Sequence, residues 1–296
     1  MPAEKITVPA AGRQLDVLAT GPPDAHTVLL HDGTPAGLLA APSFVARAAA
    51  ERGLRLVQYN RPGYGGSTPD PGRRVADAAG DVAAVLDALG VAEFLTVGWS
   101  GGGPHALACA AGLPGRCLAA ASMAGVAPYR AEGLDWLHGM AGENVAEFSA
   151  ALAGAEALTA FLEPEARELA VVTGADVAAG LGDLASPVDK AALTGEFADY
   201  LAALFRAAVE HGVAGWRDDD LAFTADWGFT VAEAGQGAPV AVWQGDQDMM
   251  VPWYHGQWLA AHIPGARAHL LPGEGHLTLA QEFGAILDDL LDLAGR

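Results

Sequence analysis

Residues 94–112 read FLTVGWSGGGPHALACAAG. The first six form a short apolar run, too brief for a helix and ending in glycine-rich sequence, so they read as a buried strand. From about Gly101 the composition turns to alanine and leucine, and a helix is expected over 104–111. Between the two lies Gly98-x-Ser100-x-Gly102. A chain that passes sharply from strand to helix strains the backbone at the corner and exposes the side chain there. Side chains two residues to either side would collide, which accounts for glycine at 98 and 102. In a chain of 296 residues with 38 glycines, the motif alone is weak evidence for a nucleophile.

Working outward, similar strand-like runs recur at 26–31 (HTVLLH), 54–60 (LRLVQYN), 117–123, 239–244 (PVAVWQ) and 266–271. Helical patterns separate them. Over 75–89, Val75, Val82, Val85, Leu86 and Leu89 share one face, and Gly90 follows as a stop. Apolar strands alternating with helices predict a parallel sheet covered on both faces. Two runs near the start, 6–8 and 15–18, have no helix between them and read as an antiparallel hairpin at the sheet edge. From about 125 to 229 the strands stop. Helices are expected there at 144–152, 156–162, 164–172 and 190–211, with Pro164 opening one of them. The resulting division is an α/β core over 1–126 and 229–296, with a helical cap or lid over 127–228, inserted after the sixth strand.

A serine hydroxyl attacks only when a base removes its proton and a carboxylate orients that base. In this architecture both should come later, each after its own strand, in the order serine, acid, histidine. After 239–244 the chain reads GDQDMMVP, so Asp246 and Asp248 compete. After 266–271 it reads PGEGH, ending at His276. Among the nine histidines, His276 alone sits at the expected strand end with a helix to follow. His26, His105, His211, His255, His262 and His269 read as packed or solvent-facing.

On these residues the chain resembles the α/β-hydrolase superfamily. The matching pieces are GWSGGGPHALA (98–108), HDGTPAG (31–37), YNRPGYGGS (59–67), GDQDMMVP (245–252) and GEGH (273–276). The resemblance implies an eight-stranded, mostly parallel sheet and a Ser100–Asp248–His276 triad. It favours Asp248 over Asp246, which would then brace the loop. It also implies an oxyanion hole made by the backbone N–H of Gly101 and that of Thr34, with Gly33 as the alternative. Asp32 stands where the family usually has histidine. His31 and Asp32 read as loop braces, and Arg61 as one half of a structural ion pair. The resemblance further implies acyl transfer to water, with cleavage of a carboxylic ester or lactone through an acyl-enzyme on Ser100. Alternatives are a carbon–carbon bond hydrolase, an amidase or aminopeptidase, a cofactor-free perhydrolase, or a non-catalytic ligand-binding member. Trp99, Trp136 and Trp227 are candidate substrate-binding residues, with Trp216, Phe148, Phe161 and Phe205 as further candidates; each could equally be packing within the helical block.

Composition narrows the partners. The formal charge is −20, with 36 acidic against 16 basic residues, which repels nucleic acid and anionic membrane surfaces and disfavours anionic substrates. The longest acidic run, Asp218–Asp220, reads as solvated surface. Gly63-Tyr64-Gly65-Gly66 lacks the final glycine of a dinucleotide fingerprint. No phosphate loop or metal-ligand spacing is present, so no metal or other cofactor is expected, and the partner is a small-molecule substrate. The two cysteines, Cys109 and Cys117, read as reduced thiols, and the N-terminus carries no signal-peptide pattern. A cytoplasmic setting is the expectation. The oligomeric state is left open.

Overall fold

The computed structural model describes residues 3–40, 43–179 and 181–296. Among them, eight strands form one sheet: β1 (Glu4–Ala10), β2 (Arg13–Thr20), β3 (Thr27–His31), β4 (Arg55–Tyr59), β5 (Phe94–Trp99), β6 (Cys117–Met123), β7 (Val240–Gly245) and β8 (Arg267–Leu271). Their order is β1-β2-β4-β3-β5-β6-β7-β8. The β1–β2 hairpin is antiparallel, as is the β2–β4 pair, and the strands from β4 onward run parallel. Every strand-like run in the sequence falls on one of these.

Three helices belong to the first part of the chain: α1 (Phe44–Glu51), α2 (Ala78–Ala88) and α3 (Gly102–Gly112). Among the described residues, β6 is followed by α4 (Gly142–Ala153), α5 (Ala155–Leu169), α6 (Gly174–Ala179), α7 (Pro187–Ala192), α8 (Gly195–Val209) and α9 (Ala214–Thr224). Then α10 (Val231–Gly237), α11 (Trp253–His262) and α12 (Phe283–Leu293) alternate with the last two strands.

Three details of the inserted helices differ from expectation. Pro164 does not open a helix; α5 runs through it. A proline there forfeits a backbone hydrogen bond at a cost of about 3 kcal/mol. Burial of Leu158 and Leu162, with Leu169 packed beyond the proline, outweighs that loss. The stretch 190–211 is two helices, because Leu193 turns inward and Gly195 adopts φ +50°. Finally, the Asp218–Asp220 run is not solvated surface. All three lie in α9 and are buried, at 2%, 0% and 1% exposure.

Strand alternation splits the core into two layers. Leu29, Val57, Phe94, Ala120 and Val242 face one side, against Val82 and Val85 of α2 and Leu107 of α3. Val28, Leu30, Leu56, Leu95, Val97 and Ala121 face the other, against Val45 of α1 and Ile286, Leu287 and Leu290 of α12. Each such buried aliphatic side chain contributes roughly 1.5–3 kcal/mol. The strands β3, β5 and β7 are buried along their whole length. A parallel sheet so covered has its free backbone and loops only at its ends, and ligands gather at the carboxyl end. In register, His31 pairs with Gly98, Gly98 with Ser122, Met123 with Trp243, and Gly245 with Leu271. The loops that follow these residues therefore share one edge.

Candidate active site

Ser100 follows directly on β5. Its φ is +55°, a left-handed conformation that costs a non-glycine residue roughly 1–3 kcal/mol. Its own N–H donates to the Met123 carbonyl at 2.8 Å, and its carbonyl accepts from Gly103 N–H at 2.9 Å, so neighbouring chain holds the strained corner. The flanking glycines have no room for a side chain: a Cβ on Gly98 would strike the Gly102 carbonyl, and one on Gly102 the His31 carbonyl. Gly103 lies where α3 crosses the end of β6, with Ser122 Oγ and Gly125 Cα 2.7 and 2.8 Å from where its Cβ would be.

His276 lies in the loop between β8 and a 3-10 turn at Thr278–Glu282. Its Nδ1 is 2.8 Å from Asp248 Oδ2, and both side chains are buried. The carboxylate only accepts, so Nδ1 carries the hydrogen and Nε2 presents its lone pair. Asp248 accepts three further bonds: from Met250 N–H and Val251 N–H at Oδ1, and from Gln244 Nε2 at Oδ2. Burial, the largest influence on His276, pushes its pKa down. The charge and hydrogen bond of Asp248, with the charge of Asp189, more than offset it, and the net shift is upward. Ser100 Oγ and His276 make no hydrogen bond with each other in this structure. Asp246 is exposed and accepts from Gly273 N–H at 2.8 Å, tying together the loops after β7 and β8.

A second carboxylate supports the histidine from below, and no feature of the sequence marked it. Asp189, on α7 and fully buried, accepts from three successive amides: His276 at 3.1 Å, Leu277 at 2.7 Å and Thr278 at 3.0 Å. Ser186 Oγ donates to it at 2.9 Å. The carboxylate sits where a helical turn begins, at amides that have no partner within the turn.

The loop after β3 approaches the serine from the other side. A Cβ on Gly33 would be 3.5 Å from Ser100 Cβ, and a Cβ on Gly101 would strike Thr34 Oγ1. Arg61 fixes this loop. Its Nη1 donates to the Asp32 carbonyl at 2.6 Å, and its Nη2 to the Gly33 carbonyl at 2.7 Å and to Thr34 Oγ1 at 2.9 Å. In a trans peptide the N–H points opposite to its carbonyl. Pinning these two carbonyls therefore turns the Gly33 and Thr34 N–H groups away from Arg61. Among the described residues, neither these amides nor that of Gly101 donates to a backbone acceptor.

Arg61 is in turn held by Asp219 of α9, at 2.6 Å. Arg73 Nη2, Tyr64 Oη and Thr34 Oγ1 also donate to that carboxylate, at 2.7, 3.0 and 3.0 Å. Burial acts most strongly on Asp219 and would raise its pKa. The charges of Arg61 and Arg73 reverse this and hold it below the usual carboxylate range. His105 stays neutral: burial brings its pKa down to about 3, and its Nδ1 donates to the Gly101 carbonyl. His31 is likewise buried and pushed well below the ordinary value, first by burial and then by its neighbours. Asp32 is buried and accepts from Gln58, with burial raising its pKa to about 6.

A cavity of about 240 Å³ opens onto Ser100, Gly101 and Thr34. Phe148, Phe161, Phe205 and Trp216 line it, together with Phe223 of α9. The three tryptophans expected there do not. Trp99 lies beside the histidine loop, its Nε1 3.3 Å from the His276 carbonyl. Trp136 donates to the Ala127 carbonyl and packs edge-on against Phe148, with ring centres 4.6 Å apart. Trp227 donates to the Phe223 carbonyl at 3.2 Å. Each buried indole needs an acceptor for its N–H, and these acceptors lie in the protein interior.

With this geometry in place, the comparisons are direct. The model of the alpha/beta hydrolase fold matches residues 26–283, and the chain belongs to that family. Serine hydrolase BPHL of Mus musculus is 39% identical over 57 residues, 18% of this chain; the match spans about a fifth of that relative, 19% of its length. The enol-lactonase from Burkholderia xenovorans superposes with a TM-score of 0.66 at 18% identity, covering 97% of this chain and 100% of the other. An esterase from Rhodococcus sp. superposes with a TM-score of 0.62 at 20% identity, covering 99% and 100%. Family membership supports hydrolase chemistry. No described helix is long and apolar enough to cross a membrane.

Proposed function

We propose that the protein is a serine hydrolase that cleaves a carboxylic ester or lactone of a small, largely apolar substrate. The observation that carries this reading is the 2.8 Å Asp248–His276 bond, on the sheet edge where Ser100 occupies a strained corner. In this mechanism His276 Nε2 takes the Ser100 proton as Oγ attacks the carbonyl carbon. Asp248 holds the imidazole tautomer and stabilises the imidazolium. The N–H groups of Gly101 and Thr34 receive the oxyanion, with Gly33 as the alternative to Thr34. One such donor is worth about 3 kcal/mol. Collapse of the intermediate expels the alcohol, which takes the proton back from His276. Water then enters, gives its proton to His276 and attacks the acyl carbon, releasing the acid and regenerating Ser100.

Residues 127–228 serve as a cap over a core formed by 1–126 and 229–296 in the same proposal. Its support is that α4, α5, α8 and α9 supply the aromatic lining of the cavity. A cytoplasmic setting accords with the free, buried thiols of Cys109 and Cys117. The test is reaction with a fluorophosphonate probe, followed by hydrolysis of p-nitrophenyl esters of graded acyl length. Wild-type protein should be labelled at Ser100 and turn over short to medium esters. A folded Ser100→Ala protein that is labelled and hydrolyses equally well would refute the proposal.

A further inference from the structure

Gln244 stands one residue before the end of β7 and is fully buried. An amide side chain in such a place needs acceptors for its N–H groups and a donor for its oxygen. Its nitrogen is well served: Nε2 donates to Asp248 Oδ2 at 3.0 Å and to the Val251 carbonyl at 2.8 Å. Both neighbours only accept, so the nitrogen and not the oxygen must face them. Oε1, by contrast, receives no hydrogen bond from any described residue. The amide leaves its acceptor unpaired in order to donate to the carboxylate. The fold makes room for this side chain: a Cβ on Gly256 of α11 would strike Gln244 Cβ and Cγ.

The oxygen that Gln244 meets is the decisive observation. Asp248 Oδ1 takes the Met250 and Val251 amides, whereas Oδ2 is the oxygen 2.8 Å from His276 Nδ1. Gln244 and His276 therefore donate to one atom. A donor on a carboxylate oxygen draws off negative charge that the other partner would otherwise feel. The Gln244 amide thus weakens the pull of Asp248 on the imidazole. It carries no charge of its own, so its influence does not titrate away.

The surroundings of His276 give this restraint a purpose. Two carboxylates act on the imidazole, Asp248 and Asp189 of α7, and no lysine or arginine is among the groups that shift it. Of the other charged groups on the adjoining loops, Asp246 is exposed and Glu274 half-buried. On α11, His255 beside Gly256 is neutral: burial brings its pKa down to about 4, its Nδ1 accepts from Ala127 N–H, and its Nε2 donates to the Trp136 carbonyl. An imidazole drawn further towards its protonated form would be a base only in alkaline solution.

We propose that Gln244 is a positioning residue that tempers the Asp248–His276 pair and so sets the acid limit of the reaction. The reaction itself rests on the Ser100 reading; the Gln244–Asp248–His276 chain of hydrogen bonds stands apart from it.

NMR and kinetics on the full chain test the proposal. In wild type, the Gln244 Nε2 protons should shift in step with the titration of the His276 ring, because both groups share Oδ2. Gln244→Met removes the donor at nearly constant volume, and Gln244→Leu is a second apolar replacement. Without the donor, Asp248 draws the imidazole more strongly and favours its protonated form. The His276 pKa read by NMR should rise by about 0.5–1 unit in either variant. The acid limb of kcat/KM for a neutral p-nitrophenyl ester should move to higher pH by the same amount, with KM little changed. A His276 pKa that falls would mean that Gln244 serves only to align Asp248, and an unchanged one that it is only structural; either result overturns the proposal. Wild-type Gln244 protons that ignore the His276 titration would overturn it whether or not a variant folds. The expected NMR shifts without turnover of any ester would uphold the tempering and overturn the Ser100 reading instead.

Discussion

At the scale of single residues, the environment of His276 makes a definite forecast. Its pKa is raised because the charge and hydrogen bond of Asp248, with Asp189, more than offset burial. In the proposed mechanism His276 acts only when unprotonated, so a raised value moves the acid limb of the kcat/KM profile to higher pH. For a neutral ester that limb should lie above the ordinary histidine value of about 6.5. Asp248→Asn removes the upward influence and misplaces the tautomer. Its kcat should fall on the order of 10⁴-fold, with any residual limb shifted to lower pH. A limb that stays above 6.5 in that variant would assign it to another group. The elbow itself was readable from spacing because sterics alone demand glycine at 98 and 102. The pocket tryptophans were not readable: an indole is equally at home in a core and in a cavity, and only the position of an acceptor for its N–H separates the two.

At the scale of elements, α7 is tied to the histidine loop through Asp189. Asp189 holds three consecutive amides at the start of the 3-10 turn, and in the proposed mechanism it is a positioning residue for His276. Asp189→Ala should lower kcat/KM by about 10²-fold through misplacement of His276, and Asp189→Asn should restore part of it. The loss should appear in kcat with KM little changed. A purely structural contribution would lower the thermal midpoint and leave kcat of the folded fraction intact. This link escaped sequence reading because α7 and the histidine loop lie 87 residues apart in the chain. The same is true of α9. A DDD run suggests solvent, and nothing local marks Arg61 and Arg73 as its partners.

At the scale of the whole molecule, Asp219 joins the inserted helices to the core. One buried carboxylate receives Arg61 and Tyr64 from the loop after β4, Arg73 from before α2, and Thr34 from the loop beside Ser100. Asp219→Ala leaves two buried guanidiniums unpaired, and should destabilise the fold by about 3–5 kcal/mol in urea unfolding. The Gly33 and Thr34 carbonyl and hydroxyl contacts of Arg61 would loosen with it, so kcat should drop even in protein that remains folded. Unchanged kcat in the folded variant would separate this node from the proposed oxyanion loop.

The amino-acid sequence by itself determined the sheet, the elbow and the order serine, aspartate, histidine along it. These depend on short-range quantities: period-two apolar runs, glycines that clear a corner, and strand ends that all face one edge. Tertiary structure alone decided what the inserted helices do. Whether an acidic side chain meets solvent, an arginine or a cavity depends on partners far away in sequence. Asp218, Asp219 and Asp220 are chemically identical and adjacent, yet the fold gives one to Arg217, one to Arg61 and Arg73, and leaves the third facing the cavity above Ser100.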